Sequence, residues 1–273
     1  MLDVRRSFRR RALRALGVDP RQWPRPVNLP EPPAVEPGQQ IGPPDFVGVG
    51  VQKAGTSWWF DLLGDHPGID RPPFKELHYF DALYRPGGLA DLDRYQHYFP
   101  RRPGQLIGEW TPRYLTDAWS LPLLAKAAPE AKILVMLRDP LDRFQSGLTH
   151  DVARGAPDSP LVVSIHVERS DYVRQLEDLF SIFDREKVLV QQYEACRADV
   201  AGELALTQQF LGLEATAPVQ PDRQVNATVV QKSPVSDHMV DVLRRRFEGM
   251  REPLLKLVPD LDLDLWPSVQ GRD

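Results

Sequence analysis

Once residues 45–63 are read as a unit, Asp45-Phe-Val-Gly-Val-Gly-Val-Gln-Lys53-Ala-Gly55-Thr56-Ser57-Trp-Trp-Phe-Asp-Leu-Leu63, few folds remain open to the chain. The short, apolar, β-branched run Phe46 to Val51 reads as a buried strand, and the piece up to Leu63 as a helix stopped by Gly64, Asp65 and Pro67. Between them lies a tight basic loop. Gly55 lets the backbone approach an anion, and the free N–H groups opening the next helix point at it, so the stretch reads as a phosphate cradle. It departs from the nucleotide pattern G-x-x-x-x-G-K-[ST]. Gly50, Gly55 and Ser57 match, but Thr56 stands in the lysine position and Lys53 lies inside the loop.

A chain of 273 residues can bury a sizeable core and is expected to form one domain with extensions. No run approaches ~18 consecutive apolar residues, so no transmembrane segment is expected. The single cysteine, Cys196, excludes an intrachain disulfide and makes the cytoplasm the default location. Residues 1–25 hold eight arginines against Asp3 and Asp19, so the net charge of −4 hides a clearly acidic body. General nucleic-acid binding, which needs a basic face on the domain, is therefore not expected. Leu2 to Val18 reads as a basic helix, and the nine prolines of residues 20–44 as an extended tether or a strap. The division expected is an extension over 1–44 and a domain over 45–273.

Lys75-Glu76-Leu-His78-Tyr-Phe-Asp81 reads as an extended piece in which Glu76 and His78 share a side, a polar pair suited to general-base work or an ordinary surface strand. His97 and His150 are rival bases. Gln105 to Glu109 reads as a strand ending in Trp110-Thr-Pro-Arg113, and strand ends are where open α/β sheets bind ligands, so Trp110 and Arg113 are candidate acceptor contacts. Lys132 to Arg138 is a continuous apolar strand handing over to Asp139, a helix cap, and Pro140, suited to the first helical position. Ser146 lies about two turns along that helix, so Arg138 and Ser146 can meet one oxyanion, unless Arg138 pairs with Asp139 or Asp142. Residues 153–169 read as an irregular cover. Helices over 170–183, 198–211 and 236–250 and a strand over 188–193 complete an α/β pattern with a mainly parallel sheet.

With these pieces placed, the chain resembles the sulfotransferases that use 3′-phosphoadenosine 5′-phosphosulfate, particularly the heparan-sulfate-type branch and its small bacterial relatives. The resemblance rests on Gln52 to Ser57, Lys75 to Asp81, Gly108 to Tyr114 and Leu137 through Ser146, with Phe210 to Leu213 and Asn226 as weaker markers. It implies a three-layer α/β fold, a mainly parallel central sheet flanked by helices in the P-loop-kinase-like manner. It further implies that Lys53, Ala54, Gly55, Thr56, Ser57 and Trp58 hold the 5′-phosphosulfate end, Arg138 and Ser146 the 3′-phosphate, and Lys232 a late basic contact. Glu76 matches the family's base, with His78 and Asp81 beside the acceptor. Trp110 departs from the lysine common in heparan-acting members. That departure favours a less charged sugar or small-molecule acceptor stacked on the indole, with Arg113 or Lys75 supplying the charge. No metal is expected. A P-loop kinase and a non-catalytic nucleotide-binding module are the rival readings.

Overall fold

Strand β1 (Phe46–Gly50) runs parallel to two neighbours, β2 (Gly108–Trp110) and β3 (Lys132–Leu137), and β4 (Val188–Gln192) extends the sheet beyond β3. The computed structural model describes residues 29–82, 91–157, 159–223, 225 and 233–270. The arginine-rich helix read at the start of the chain, Asn226 and Lys232 all lie outside the described residues. The order is β2-β1-β3-β4, and every pairing is parallel. All residues of β1 and β2 are buried, as parallel strands covered on both faces must be.

The helices are α1 (Thr56–Leu63), α2 (Tyr79–Ala82), α3 (Leu92–Gln96), α4 (Ser120–Ala127), α5 (Pro140–Ala153), α6 (Pro160–Ser170), α7 (Tyr172–Ile182), α8 (Tyr193–Ala198), α9 (Val200–Leu211), α10 (Asp237–Glu248) and α11 (Arg251–Leu257). Local chemistry explains their starts. The Asp139 carboxylate accepts from the amides of Leu141 at 2.9 Å and Asp142 at 3.0 Å, with Pro140 opening α5. The helix expected to end at Gly212 does so there, with that glycine left-handed at φ 86°.

Two secondary-structure expectations are corrected. The cover read as irregular over 153–169 is largely α6, because Pro160 sits at its first position and the Ser159 hydroxyl caps Val162 N at 3.4 Å. Fully buried Arg143 of α5 ties α6 down, donating to Ser170 Oγ at 2.6 Å and to the His166 carbonyl at 2.7 Å. Residues 71–78 form no strand; the chain there is irregular until α2 begins.

Trp110 belongs to the core and offers no face to an acceptor. Its indole is 0% exposed and lies over Gly48, where a Cβ would stand 2.0 Å from the ring. Its Nε1–H donates to the Gly50 carbonyl at 3.1 Å. Gly48 pairs with Trp110 across the two strands, so a β-branched residue at 48 would expel the indole. Tyr79, Phe80, Tyr95, Phe99 and Tyr114 form one aromatic cluster around Glu109, with centroids 4.7–5.3 Å apart in successive pairs. Residues 29–44 lie on this side as a strap: Tyr98 Oη donates to the Pro30 carbonyl at 2.7 Å, and Gln40 and Arg101 exchange backbone bonds.

Candidate active site

From β1 the chain passes to β2 on one side, and from the adjacent β3 it passes to β4 on the other. Such a reversal of strand order opens a crevice at the strands' carboxyl ends. The loop of residues 51–55 leaves β1 at that point. Lys53 is left-handed at φ 69° and Gly55 at φ 83°, so the loop curls tightly before α1. A Cβ on Gly55 would meet the Tyr193 ring at 2.6 Å, so only glycine brings the loop this close.

A cavity of about 1090 Å³ opens over the loop. Lys53, Thr56, Ser57 and Trp58 line it from the cradle, Arg138 and Ser146 from the β3–α5 junction, and Glu76 from the irregular segment. Sequence positions read separately as cradle, oxyanion contact and base therefore share one cavity. Arg138 NH1 donates to the Lys53 carbonyl at 3.1 Å, and its guanidinium stacks 5.0 Å from the Tyr193 centroid. Its Asp142 contact is long at 3.5 Å, and its buried Nε has no partner among the described residues. Burial, then the neighbouring Arg138 cation, pushes the Lys53 ammonium down from its usual range. The Trp58 indole donates to the Pro221 carbonyl at 3.1 Å, and Arg197 lies 4.9 Å over its ring. Ala54 is fully buried and offers the cavity no side chain.

Glu76 sits inside an unbroken run of alternating charge that begins at Lys75. Lys75 Nζ stands 2.7 Å from Glu76 Oε1, His78 Nε2 3.3 Å from Glu76 Oε2, and His78 Nδ1 2.8 Å from Asp81 Oδ2. Arg113 follows at 3.6 Å from Asp81 and 2.8 Å from Asp117. Burial alone would raise the Glu76 carboxyl, but hydrogen bonds from His78 and Lys75 outweigh it and hold the group at about 2. Asp81, then Glu76, raise the His78 imidazole to about 9. At neutral pH the pair is a carboxylate against an imidazolium.

The acceptor contacts read from the sequence fare differently. The Asp81 side chain is wholly buried, so it orients the His78 imidazole and cannot itself touch an acceptor. Arg113 is taken up by Asp117 and Asp81 and does not line the cavity; His78 reaches it only through Glu76. His97 sits elsewhere, its ring 3.0 Å from the Asp93 carbonyl, whereas His150 does line the cavity.

Several lining residues escaped sequence reasoning. Asp151 of α5, Arg154 just past its end, and His166 and Arg169 of α6 form a further wall, with His166 Nε2 3.1 Å from Asp151. Burial keeps His166 below its ordinary value. Their helical spacing alone did not say which face the sheet would turn toward the cradle. Glu109 was likewise seen only as part of a strand, although a carboxylate inside an apolar strand is itself a signal. It is 0% exposed beside the Glu76 segment.

The family model described as "Sulfotransferase domain" matches residues 43–238. Human heparan sulfate glucosamine 3-O-sulfotransferase 3B1 is 29% identical over 187 residues, which is 63% of this chain and 46% of that protein. The membrane-associated sulfotransferase kil1 of Dictyostelium discoideum is 32% identical over 109 residues, 40% of this chain and 23% of that one. The chain thus spans about half the length, or less, of these curated relatives. A solved sulfotransferase from Alicyclobacillus acidocaldarius shares the fold, with a TM-score of 0.68 at 24% identity, covering 82% of this chain and 99% of that one.

Proposed function

Because this chain belongs to the sulfotransferase domain family, we propose that it moves a sulfuryl group from 3′-phosphoadenosine 5′-phosphosulfate to an acceptor hydroxyl. The observation that carries this reading is the meeting of Lys53, Arg138 and Glu76 on one cavity. The donor set suits a phosphorylated nucleotide: a loop that only Gly55 can close, two hydroxyls at the start of α1, and a buried Arg138 Nε without a partner among the described residues. When bound, the nucleotide supplies a sulfuryl group on a phosphate leaving group.

The chain's own residues do the rest. Lys53 neutralises charge at the departing phosphate, with Thr56 and Ser57 beside it. Arg138 and Ser146 grip the 3′-phosphate, and Trp58 helps hold the nucleotide. Glu76, already ionised, accepts the hydroxyl proton as the acceptor oxygen bonds to sulfur and the bond to phosphate breaks. His78 keeps that carboxylate oriented. Positioning and fixed charge supply most of the acceleration, and the base typically ~10²–10⁴-fold.

The further wall bears on the acceptor. Trp110 is buried, which removes the aromatic platform, while the family's lysine at that position is still missing. Arg154 and Arg169, with Asp151 and His150 for hydroxyls, suit a carbohydrate carrying negative charge. The human relative's name, a heparan sulfate glucosamine 3-O-sulfotransferase, supports the same class.

Calorimetric binding of 3′-phosphoadenosine 5′-phosphate, against ATP with magnesium, tests the reading in wild type, Lys53→Ala and Arg138→Ala. The bisphosphate is expected to bind without metal, and each substitution to weaken it about tenfold or more, since a hydrogen bond to a charged group contributes ~1.5–3 kcal/mol. Preference for ATP with magnesium would overturn the reading in favour of a kinase.

A further inference from the structure

We propose that Glu109 is the positioning residue of this site, the single buried acceptor on which three successive amides of the base-bearing segment terminate. The proposal rests on Glu76 being the base, as read above. Residues 71–78 have neither strand nor helix to hold them, and His78 sits at φ 55°, an uncommon conformation for a residue with a Cβ. Something outside the segment therefore fixes its course.

That support comes from the end of β2 and the turn that follows. Leu77 N–H donates directly to Glu109 Oε2 at 3.1 Å. His78 N–H donates to the Thr111 hydroxyl at 3.2 Å, which in turn donates to Glu109 Oε2 at 2.5 Å. Tyr79 N–H donates to the Tyr114 hydroxyl at 2.8 Å, which donates to Glu109 Oε1 at 3.0 Å. Tyr95 Oη completes the set at 2.7 Å, and Trp110 N–H anchors the Lys75 carbonyl at 2.8 Å. The Glu109 carboxylate is 0% exposed and has no ion-pair partner among the described residues, so these donors replace its hydration.

The arrangement depends on polarity as well as shape. Each hydroxyl has one proton, and aiming it at Glu109 leaves its lone pairs free for the amide of His78 or Tyr79. All four partners of the carboxylate are donors, so only an acceptor-only group satisfies them. An amide at 109 has nearly the same volume but turns a donor toward donors. One hydroxyl must then reverse, and its proton faces an N–H. The amide chain slackens where it carries Glu76 and His78.

The experiment uses the full-length protein with Glu109→Gln and Thr111→Val, the second removing only the His78 relay. Two quantities are read: binding of 3′-phosphoadenosine 5′-phosphate, and the pH titration of the His78 imidazole by nuclear magnetic resonance, assigned with His78→Gln. The groups facing that ring are Glu76 and Asp81 of its own segment, with Lys75 and Arg113 one contact further on. In both variants bisphosphate affinity is expected to stay within about twofold of wild type, because the cradle hangs from β1 and α1. The His78 midpoint is expected to fall by about one unit or more as its pairing with Glu76 loosens. A variant that folds with an unchanged His78 titration overturns the proposal, since a merely structural residue would lower the melting temperature alone. Should Glu109→Gln fail to fold, the Thr111→Val titration decides the matter by the same criterion. Failure of the wild type to bind the bisphosphate would strike the functional reading and leave the titration result standing.

Discussion

The ammonium of Lys75 lies between α1 and Glu76, 2.7 Å from Glu76 Oε1 and 3.5 Å from the Thr56 hydroxyl. One cation thus touches both halves of the site, and it is largely withdrawn from water, which lowers its own pKa. Removing it acts first on Glu76. In Lys75→Met the stem remains and the charge goes, so the Glu76 carboxyl, held at about 2 by its hydrogen bonds against the effect of burial, should rise by roughly one unit. Carbon-detected titration of the Glu76 carboxyl, or a matching shift of the acid limb of the rate, checks this. An unmoved midpoint would mean that His78 alone holds the carboxylate.

The Glu76–His78–Asp81 trio makes stability depend on alkaline pH. The His78 pKa rises from 6.5 to about 9 on folding, so its contribution is complete below 6.5 and is lost as pH climbs through about 9. Wild type should therefore lose several degrees of melting temperature between pH 7 and pH 10, and His78→Gln should lose distinctly less. Parallel curves for the two proteins would rule out the imidazolium.

Gly55→Ala places a methyl 2.6 Å from the Tyr193 ring in a backbone held at φ 83°. Strain of this kind costs about 1–3 kcal/mol, and it falls on the loop that would hold the phosphates. The expected outcome is a lower melting temperature together with at least a tenfold loss of bisphosphate affinity, measured by differential scanning and isothermal calorimetry. A Gly38→Ala control, also at positive φ but in open space, should lose stability without losing affinity.

Trp110→Ala should destabilise the whole domain by about 3–5 kcal/mol, the usual effect of emptying a buried indole site. Denaturant unfolding measures it. Any loss of sulfuryl transfer should follow the folded fraction, with the ranking of acceptors unchanged. A change in acceptor ranking at intact stability would return the indole to the acceptor side.

Much of the cradle was legible because it is written in adjacent residues. Phe46 to Leu63 carries a buried strand, a glycine that must be left-handed and a helix start, and each depends on its immediate neighbours. Asp139 and Pro140 announced α5 for the same reason, with Arg138 and Ser146 one strand end and two turns away. The irregular reading of 153–169 failed because a proline such as Pro160 breaks a helix from within and starts one from its first turn; only the Ser159 cap separates the cases.

What the chain's order of residues determined by itself was the set of local devices: the tight glycine loop after β1, the capped helix α5, and a carboxylate and an imidazole two residues apart. Tertiary structure alone decided which side chains face the cavity. Sheet order set Gly48 against Trp110 and buried an indole that local pattern offered to the acceptor. It also brought Glu109, 32 residues from Leu77 in sequence, under that residue's amide, and turned Arg154 and Arg169 toward the cradle. The physical reason is range. Capping, turn and helix preferences act over a few bonds, whereas burial and hydrogen-bond partnership depend on which distant strand the packed sheet places alongside.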